Sequence, residues 1–173
     1  MEDYGLRELH SKIIEIMVYF DEFCKNNKID YYLSGGCSLG AVRHKGFIPW
    51  DDDMDVCMTD ENHQKFLKAC TTSLDKEKYY LQLGNSDEFP NYLTKLRCNG
   101  TTYIEKYNID IDMHKGFFID IYCLDNISDN YFIGFLQFLC AKFLIIRVLP
   151  KVNYQTTSIV KKILRATWSE SFY

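Results

Sequence analysis

The 173-residue chain has only three prolines and nine glycines, which excludes a collagen-like repeat and a linker-rich chain. It has no surplus of basic residues. A formal charge of −4 and a pI near 5.6 give no general attraction to nucleic acid or anionic lipid, so no nucleic-acid partner is expected. No C-x-x-C pair is present. The seven cysteines (24, 37, 57, 70, 98, 123 and 140) are odd in number and lie mostly in apolar runs, the pattern of reduced, buried thiols in a cytosolic protein. Met1 to Gly5 has neither the basic opening nor the apolar stretch of a signal peptide, which places the chain in the cytoplasm. The one apolar stretch approaching membrane length, Tyr131 to Leu149, is interrupted by Gln137, Lys142 and Arg147 and falls short of the roughly 20 apolar residues that a span needs. There is no internal repeat, low-complexity tract or linker.

What is present is a core. With 47% hydrophobic and 16% aromatic residues, the chain fits one globular domain rather than a disordered segment. Leu6, Leu9, Ile13, Ile16, Met17, Phe20 and Cys24 recur at three- and four-residue steps, predicting a helix over about 5–26 that Asn26-Asn27 closes. Residues 30–34 read as a short strand meeting a sharp turn at Gly35-Gly36, followed by a short helix over 39–44 that breaks at Gly46. From Asp53 to Met58 acids and apolar residues alternate with the period of a strand, and Thr59 or Asp60 can cap a helix through Phe66, Leu67 and Cys70. Residues 79–83, 92–97 and 101–105 read as further strands, the last two joined by an Asn99-Gly100 hairpin turn. Gly116 to Tyr122 is an apolar strand carrying one acid, Asp120. From Tyr131 onward apolar residues run all round a helix, which must be buried between other elements or lie against a partner or membrane surface. The expected fold is therefore α/β (α+β): a mixed sheet flanked by helices, with a core over 1–130 and a C-terminal helical segment over 131–173.

Three of these features combine into chemistry. Asp53 and Asp55, two strand steps of about 3.3 Å apart, leave one face and can converge on a hard cation. Mg²⁺ is typically held by one or two carboxylates plus substrate phosphates, which is the ligand set such a pair leaves open. The glycine turn allows a backbone to approach an anion, and the N–H groups of the following helix start, with the Ser38 hydroxyl, can hold phosphate oxygens. Asp120 on a neighbouring strand can complete the metal shell or accept the proton of an attacking hydroxyl. Phosphoryl or nucleotidyl transfer is the reaction class that follows. Each feature has a plainer reading beside it: a simple turn for Gly35-Gly36, a solvated acidic edge for Asp51 to Asp55, a satisfied core acid for Asp120.

The continuous stretch from Tyr32 to Val56, YLSGGCSLGAVRHKGFIPWDDDMDV, closely resembles the signature of the LicD family, cholinephosphotransferases that decorate bacterial cell-surface polymers. Lys95-Leu96-Arg97, Thr101-Thr102, Gly116 to Ile121 and Leu124-Asp125 resemble that family's later blocks, so the likeness covers roughly residues 5–126. The resemblance implies a nucleotidyltransferase-like sheet. It also implies transfer of a phospho-alcohol, phosphocholine first among them, from a CDP-activated donor such as CDP-choline to a sugar hydroxyl, with release of CMP. The acceptor would be a lipid-linked or polymeric glycan such as teichoic acid, lipopolysaccharide or another cell-surface polysaccharide. Matched residue by residue, Asp53 and Asp55 correspond to a pair that binds Mg²⁺ (or Mn²⁺), Asp120 to the third acid and Asp51 to a further acid near the metal. Gly35, Gly36 and Ser38 correspond to the phosphate turn, and Arg43, His44, Lys45, Lys95 and Arg97 are the candidates for donor phosphates or cytidine.

Outside those blocks the readings are plainer. Cys37 reads as a small packing residue, and His10 and His63 as surface or packing residues without ligand partners at metal spacing. His114, in a polar segment with Asp110 and Asp112, borders the site or lies in a solvated loop. A ring near Trp50 is a candidate to hold a choline ammonium. The apolar 131–149 helix offers peripheral attachment to the inner face of a membrane. Two other classes stay open: a catalytically silent module that binds nucleotide or glycan, and a haloacid-dehalogenase-type phosphatase using Asp53-x-Asp55.

Overall fold

The computed structural model describes residues 4–84, 86, 89, 91–105, 109 and 112–148, which form two compact units. The first takes in Met1–Gly84, Leu93–Tyr103 and His114–Asp125. Its elements are α1 (Arg7–Asn26), β1 (Tyr32–Leu33), α2 (Gly35–Arg43), β2 (Asp55–Thr59), α3 (Asp60–Ser73), β3 (Tyr79–Gln82), β4 (Thr94–Cys98) and β5 (Phe118–Leu124). The five strands form one mixed sheet in the order β1-β2-β5-β4-β3, in which only the β2–β5 pair is parallel. The fold is α/β, as the sequence predicts.

The two-residue period of the strands divides this sheet into an apolar and a polar face. Val56, Met58, Leu96, Ile119 and Ile121 point to one side and are all but inaccessible to solvent. There they form the core with Ile13, Ile16, Phe20, Phe23 and Cys24 of α1 and Phe66 and Cys70 of α3. Phe66 meets the edges of both Phe20 and Phe23. Residues one step away in register, Asp55 opposite Asp120 and Lys95 opposite Asp120, occupy the other face. A one-residue slip would bury these charges among the aromatic rings, so the apolar pattern sets the register.

The boundaries differ from the sequence reading where local signals meet tertiary ones. α1 begins at Arg7 because Gly5 has a φ of +73°, and it ends where the Asn27 side chain donates to the Phe23 carbonyl and Lys28 turns to a φ of +56°. Gly35-Gly36 is not a turn ahead of a helix: both residues lie in the first turn of α2, with Ser34 in extended conformation just before it. Asp53 precedes β2 rather than lying in it. The cap at Thr59 is present, its hydroxyl accepting the Asn62 N–H. No strand forms over 101–105. β4 already has β3 on one edge and β5 on the other, so the third segment finds no free edge. After Gly100, at a φ of +70°, Thr101 instead anchors the chain by donating to the Cys98 carbonyl and accepting the Phe117 N–H.

The second unit takes in Asn85–Tyr92, Ile104–Met113 and Asn126–Tyr173, so two segments placed by sequence inside the core group with the C-terminal part. Its helix α4 (Tyr131–Val148) is capped by Asn130, whose side chain accepts the N–H groups of Phe132 and Ile133. Tyr131, Phe132, Phe135, Phe138, Phe143 and Leu144 of α4 are all exposed. Among the described residues no helix is long and apolar enough to cross a membrane. Asp110, Leu149 and most of the 131–173 segment beyond α4 lie outside the described residues.

Candidate active site

The parallel pairing of β2 with β5 decides the geometry of the acids. It sets Asp55 directly opposite Asp120, two carboxylates from segments 65 residues apart, on strands that run about 4.8 Å from each other. The loop before β2 brings three more: one carboxylate oxygen from each of Asp51, Asp52 and Asp53 lies within 4.8 Å of the others. The glycine start of α2 closes the cluster from the other side. A Cβ on Gly36 would stand 2.6 Å from Asp51 Oδ2, and one on Gly35, whose φ is +52°, 3.7 Å from Asp55 Oδ2. A side chain at Gly36 would displace the Asp51 carboxylate, while at Gly35 it is the positive φ that favours glycine.

Among the described residues, Lys95 is the cation paired with this array. Lys95 Nζ lies 2.8 Å from Asp120 Oδ1 and 3.4 Å above the centre of the Phe118 ring, almost fully removed from solvent. Against one lysine there are five carboxylates, and the imbalance shows in their proton affinities. Burial, then the charges of Asp55, Asp51, Asp52 and Asp120, pushes the Asp53 carboxyl up to about 7. Burial, then the charges of Asp120 and Asp51, raises Asp55 to about 6, against the opposing pull of Lys95. Asp55 Oδ1 is buried without a hydrogen-bond partner. An all-oxygen donor set with excess negative charge and an unsatisfied buried oxygen fits a hard divalent cation. Asp51, Asp52 and Asp53, whose oxygens converge, and the Asp55–Asp120 pair on the adjoining strands are the residues that could hold it.

Other predicted residues are placed differently. Ser38 lies one turn into α2, where its hydroxyl donates to the Leu33 carbonyl at 2.5 Å and so has no proton left for a phosphate. Arg43, His44 and Lys45 stand at the far end of α2, about 12 Å along the axis from Gly35. Arg97 is fully buried, donating to Gln82 Oε1 at 2.7 Å and the Gly116 carbonyl at 2.9 Å, with its guanidinium 4.7 Å from the Phe118 ring centre. Lys95 and Arg97 thus serve the sheet and Asp120; neither offers its charge to solvent.

Comparison with known proteins shows the family to which this region belongs. A family model described as "LicD/FKTN/FKRP, nucleotidyltransferase domain" matches residues 28–131, more than half of the chain and every acid in the cluster. The chain belongs to the LicD family. Lipopolysaccharide cholinephosphotransferase LicD of Haemophilus influenzae is 48% identical over 67 residues, 39% of this chain and 25% of that protein. An uncharacterized protein of Rickettsia typhi is 39% identical over 54 residues, 31% of this chain and 18% of its own. Mannosyltransferase regulator 4 of Saccharomyces cerevisiae is 26% identical over 168 residues, 91% of this chain and 14% of that protein. The chain thus spans a quarter or less of the length of these curated relatives.

Within this LicD domain several residues support the acids in ways that no local pattern announces. The Cys37 thiol, pushed up to about 11 chiefly by burial and so neutral, accepts the Asp55 N–H at 3.1 Å and donates to the Asp53 carbonyl at 3.8 Å. It ties α2 to both acids. His10 of α1, stacked on Phe47 with ring centres 4.2 Å apart, reaches the Asp51 carbonyl at 2.6 Å. Tyr103 donates its hydroxyl to Asp52 Oδ2 at 2.9 Å. The contacts of His10 and Tyr103 span 41 and 51 residues, so only the folded chain reveals them. His63 meets Thr94, and His114 stacks on Tyr80, pairs with Asn99 and accepts the Gly116 N–H. Both are structural. Of the seven thiols, Cys24, Cys37 and Cys70 are buried, Cys57 and Cys98 partly so, while Cys123 and Cys140 are exposed, contrary to a uniformly buried set.

Proposed function

We propose that this LicD domain transfers a phospho-alcohol, most specifically phosphocholine, from a CDP-activated donor to a sugar hydroxyl of a cell-surface glycan, on the cytoplasmic side. The observation that carries this reading is the convergence of Asp53, Asp55 and Asp120 beside the glycine start of α2, with a buried Asp55 oxygen left unsatisfied. The name of the Haemophilus influenzae relative supports choline as the transferred alcohol.

In the proposed reaction the acceptor hydroxyl oxygen forms a bond to the phosphorus that carries choline, and the bond from that phosphorus to the bridging oxygen of CMP breaks. CMP leaves with the electron pair. The hydroxyl proton passes to a carboxylate of the cluster that the cation leaves free. A Mg²⁺ or Mn²⁺ held by Asp53, Asp55 and Asp120 would neutralise charge developing on the diphosphate oxygens. The start of α2 at Gly35 and Gly36 lies beside Asp51 and Asp55, where a helix N-terminus can receive a donor phosphate. Lys95, 2.8 Å from Asp120 Oδ1, holds that carboxylate in place.

The test is CMP release from CDP-choline with Mg²⁺ and a glycan acceptor, in the wild type and in Asp53→Asn and Asp55→Asn. Metal-dependent release that both substitutions abolish supports the transferase. Calorimetric binding of CDP-choline with no release points to a silent module, and inorganic phosphate in place of CMP to a phosphatase; either result replaces the reading.

A further inference from the structure

Trp50 immediately precedes the acidic loop, yet it is 61% exposed and projects a large apolar surface into solvent. It does not stand alone. The Tyr4 ring lies 5.8 Å from it at 66°, and the His44 ring 6.2 Å away at 78°, so two other rings stand steeply against it. Tyr4 is itself 46% exposed, and none of the three belongs to the buried core. An aromatic group with this much open face, held by two neighbours and placed one residue from Asp51, has no packing reason to be there.

We propose that Trp50, Tyr4 and His44 form the head-group subsite for a quaternary ammonium, which makes them specificity-determining residues for a choline-bearing donor. The proposal rests on the transferase reading and deepens it. A cation is drawn to the negative faces of aromatic rings at up to about 6 Å from the centroid, Trp being the best of them. Two rings whose centroids are about 6 Å apart and whose planes are steeply inclined bring two such surfaces within reach of one methylated ammonium. Asp51 and Asp52, which follow Trp50 directly in the chain, supply negative charge beside it. Trp50 adjoins Asp51 in the chain, and the Asp51 carboxylate meets the start of α2. Glycerol and ribitol have no charge for these rings to bind.

The experiment uses the full chain with Mg²⁺ and measures calorimetric affinity for CDP-choline and CDP-glycerol in the wild type, Trp50→Leu and Tyr4→Leu. Because both side chains are exposed, the folded state is expected to survive, checked by an unchanged melting point without ligand. Trp50→Leu is expected to weaken CDP-choline about fivefold and Tyr4→Leu about threefold, with CDP-glycerol unaffected. Equal loss for both donors, or no loss for either, overturns the subsite. Should the wild type bind neither donor, the transferase reading fails and the subsite is judged separately. In a Trp168→Phe background Trp50 is the only tryptophan, and tetramethylammonium must quench its fluorescence saturably, and less so in Tyr4→Leu; a linear response equal in both proteins overturns it.

Discussion

Replacing Asp55 by Asn should make the metal-free protein more stable and the metal-loaded protein less so. Asp55 has its carboxyl raised from an ordinary 3.8 to about 6, by burial first and then by the charge of Asp120. Because the folded pKa exceeds the unfolded one, the native state holds more protons between about pH 4 and pH 6, and stability falls as pH rises through that window. A rise of this size corresponds to about 3 kcal/mol against the charged form. Screening at a half-buried group reduces it to about 1–1.5 kcal/mol. The amide keeps the shape and removes the charge, so at pH 8 in EDTA the variant should melt about 3–5 °C above wild type, with no difference at pH 4. Saturating Mg²⁺ at about 100 times its Kd should stabilise wild type by about 2.7 kcal/mol and the variant by little, reversing the order of the two melting points. Thermal melts at both pH values, with and without Mg²⁺, decide the matter. A variant that melts below wild type in EDTA at pH 8, or an offset independent of pH, would refute the claim that crowded charge loads this strand pair.

Calorimetric titration of Mg²⁺ across pH should show affinity lost on acidification, since the ligands must shed protons: up to about tenfold per pH unit between pH 7 and 6, steeper below 6 as Asp55 joins Asp53. Gly36→Ala should leave the melting point unchanged or slightly raised, because alanine suits a helix, while the displaced Asp51 carboxylate costs about tenfold in Mg²⁺ affinity. Lys95→Met removes the cation from buried Asp120 and should cost about 3–5 kcal/mol at pH 8, seen in urea unfolding, with part of the loss recovered in Lys95→Met/Asp120→Asn.

Much of this architecture was legible in the residues. The stripe from Leu9 to Cys24, the alternation after Asp53 and the cap at Thr59 are local signals, and the chain follows them because the same residues that favour each element also face its core. The strand expected over 101–105 failed for a reason no local pattern contains: an edge of β4 was needed and both were taken. Lys95 and Arg97 look like phosphate ligands in sequence, yet pairing with β5 turns them toward Asp120, Phe118 and the Gly116 carbonyl. Gly35-Gly36 suggests a turn, and only the folded chain shows that the Asp51 carboxylate fills the space a side chain at Gly36 would take.

The amino-acid order by itself determined which residues are apolar, where α3 is capped and which carboxylates exist, because those depend on side chains a few positions apart. Only the tertiary structure decided that the Asp51–Asp53 cluster is followed by Asp55 set opposite Asp120, and that Lys95 pairs with Asp120. Parallel strand pairing joins segments 65 residues apart in sequence, and the charge crowding that raises Asp53 and Asp55 arises only once that pairing has formed.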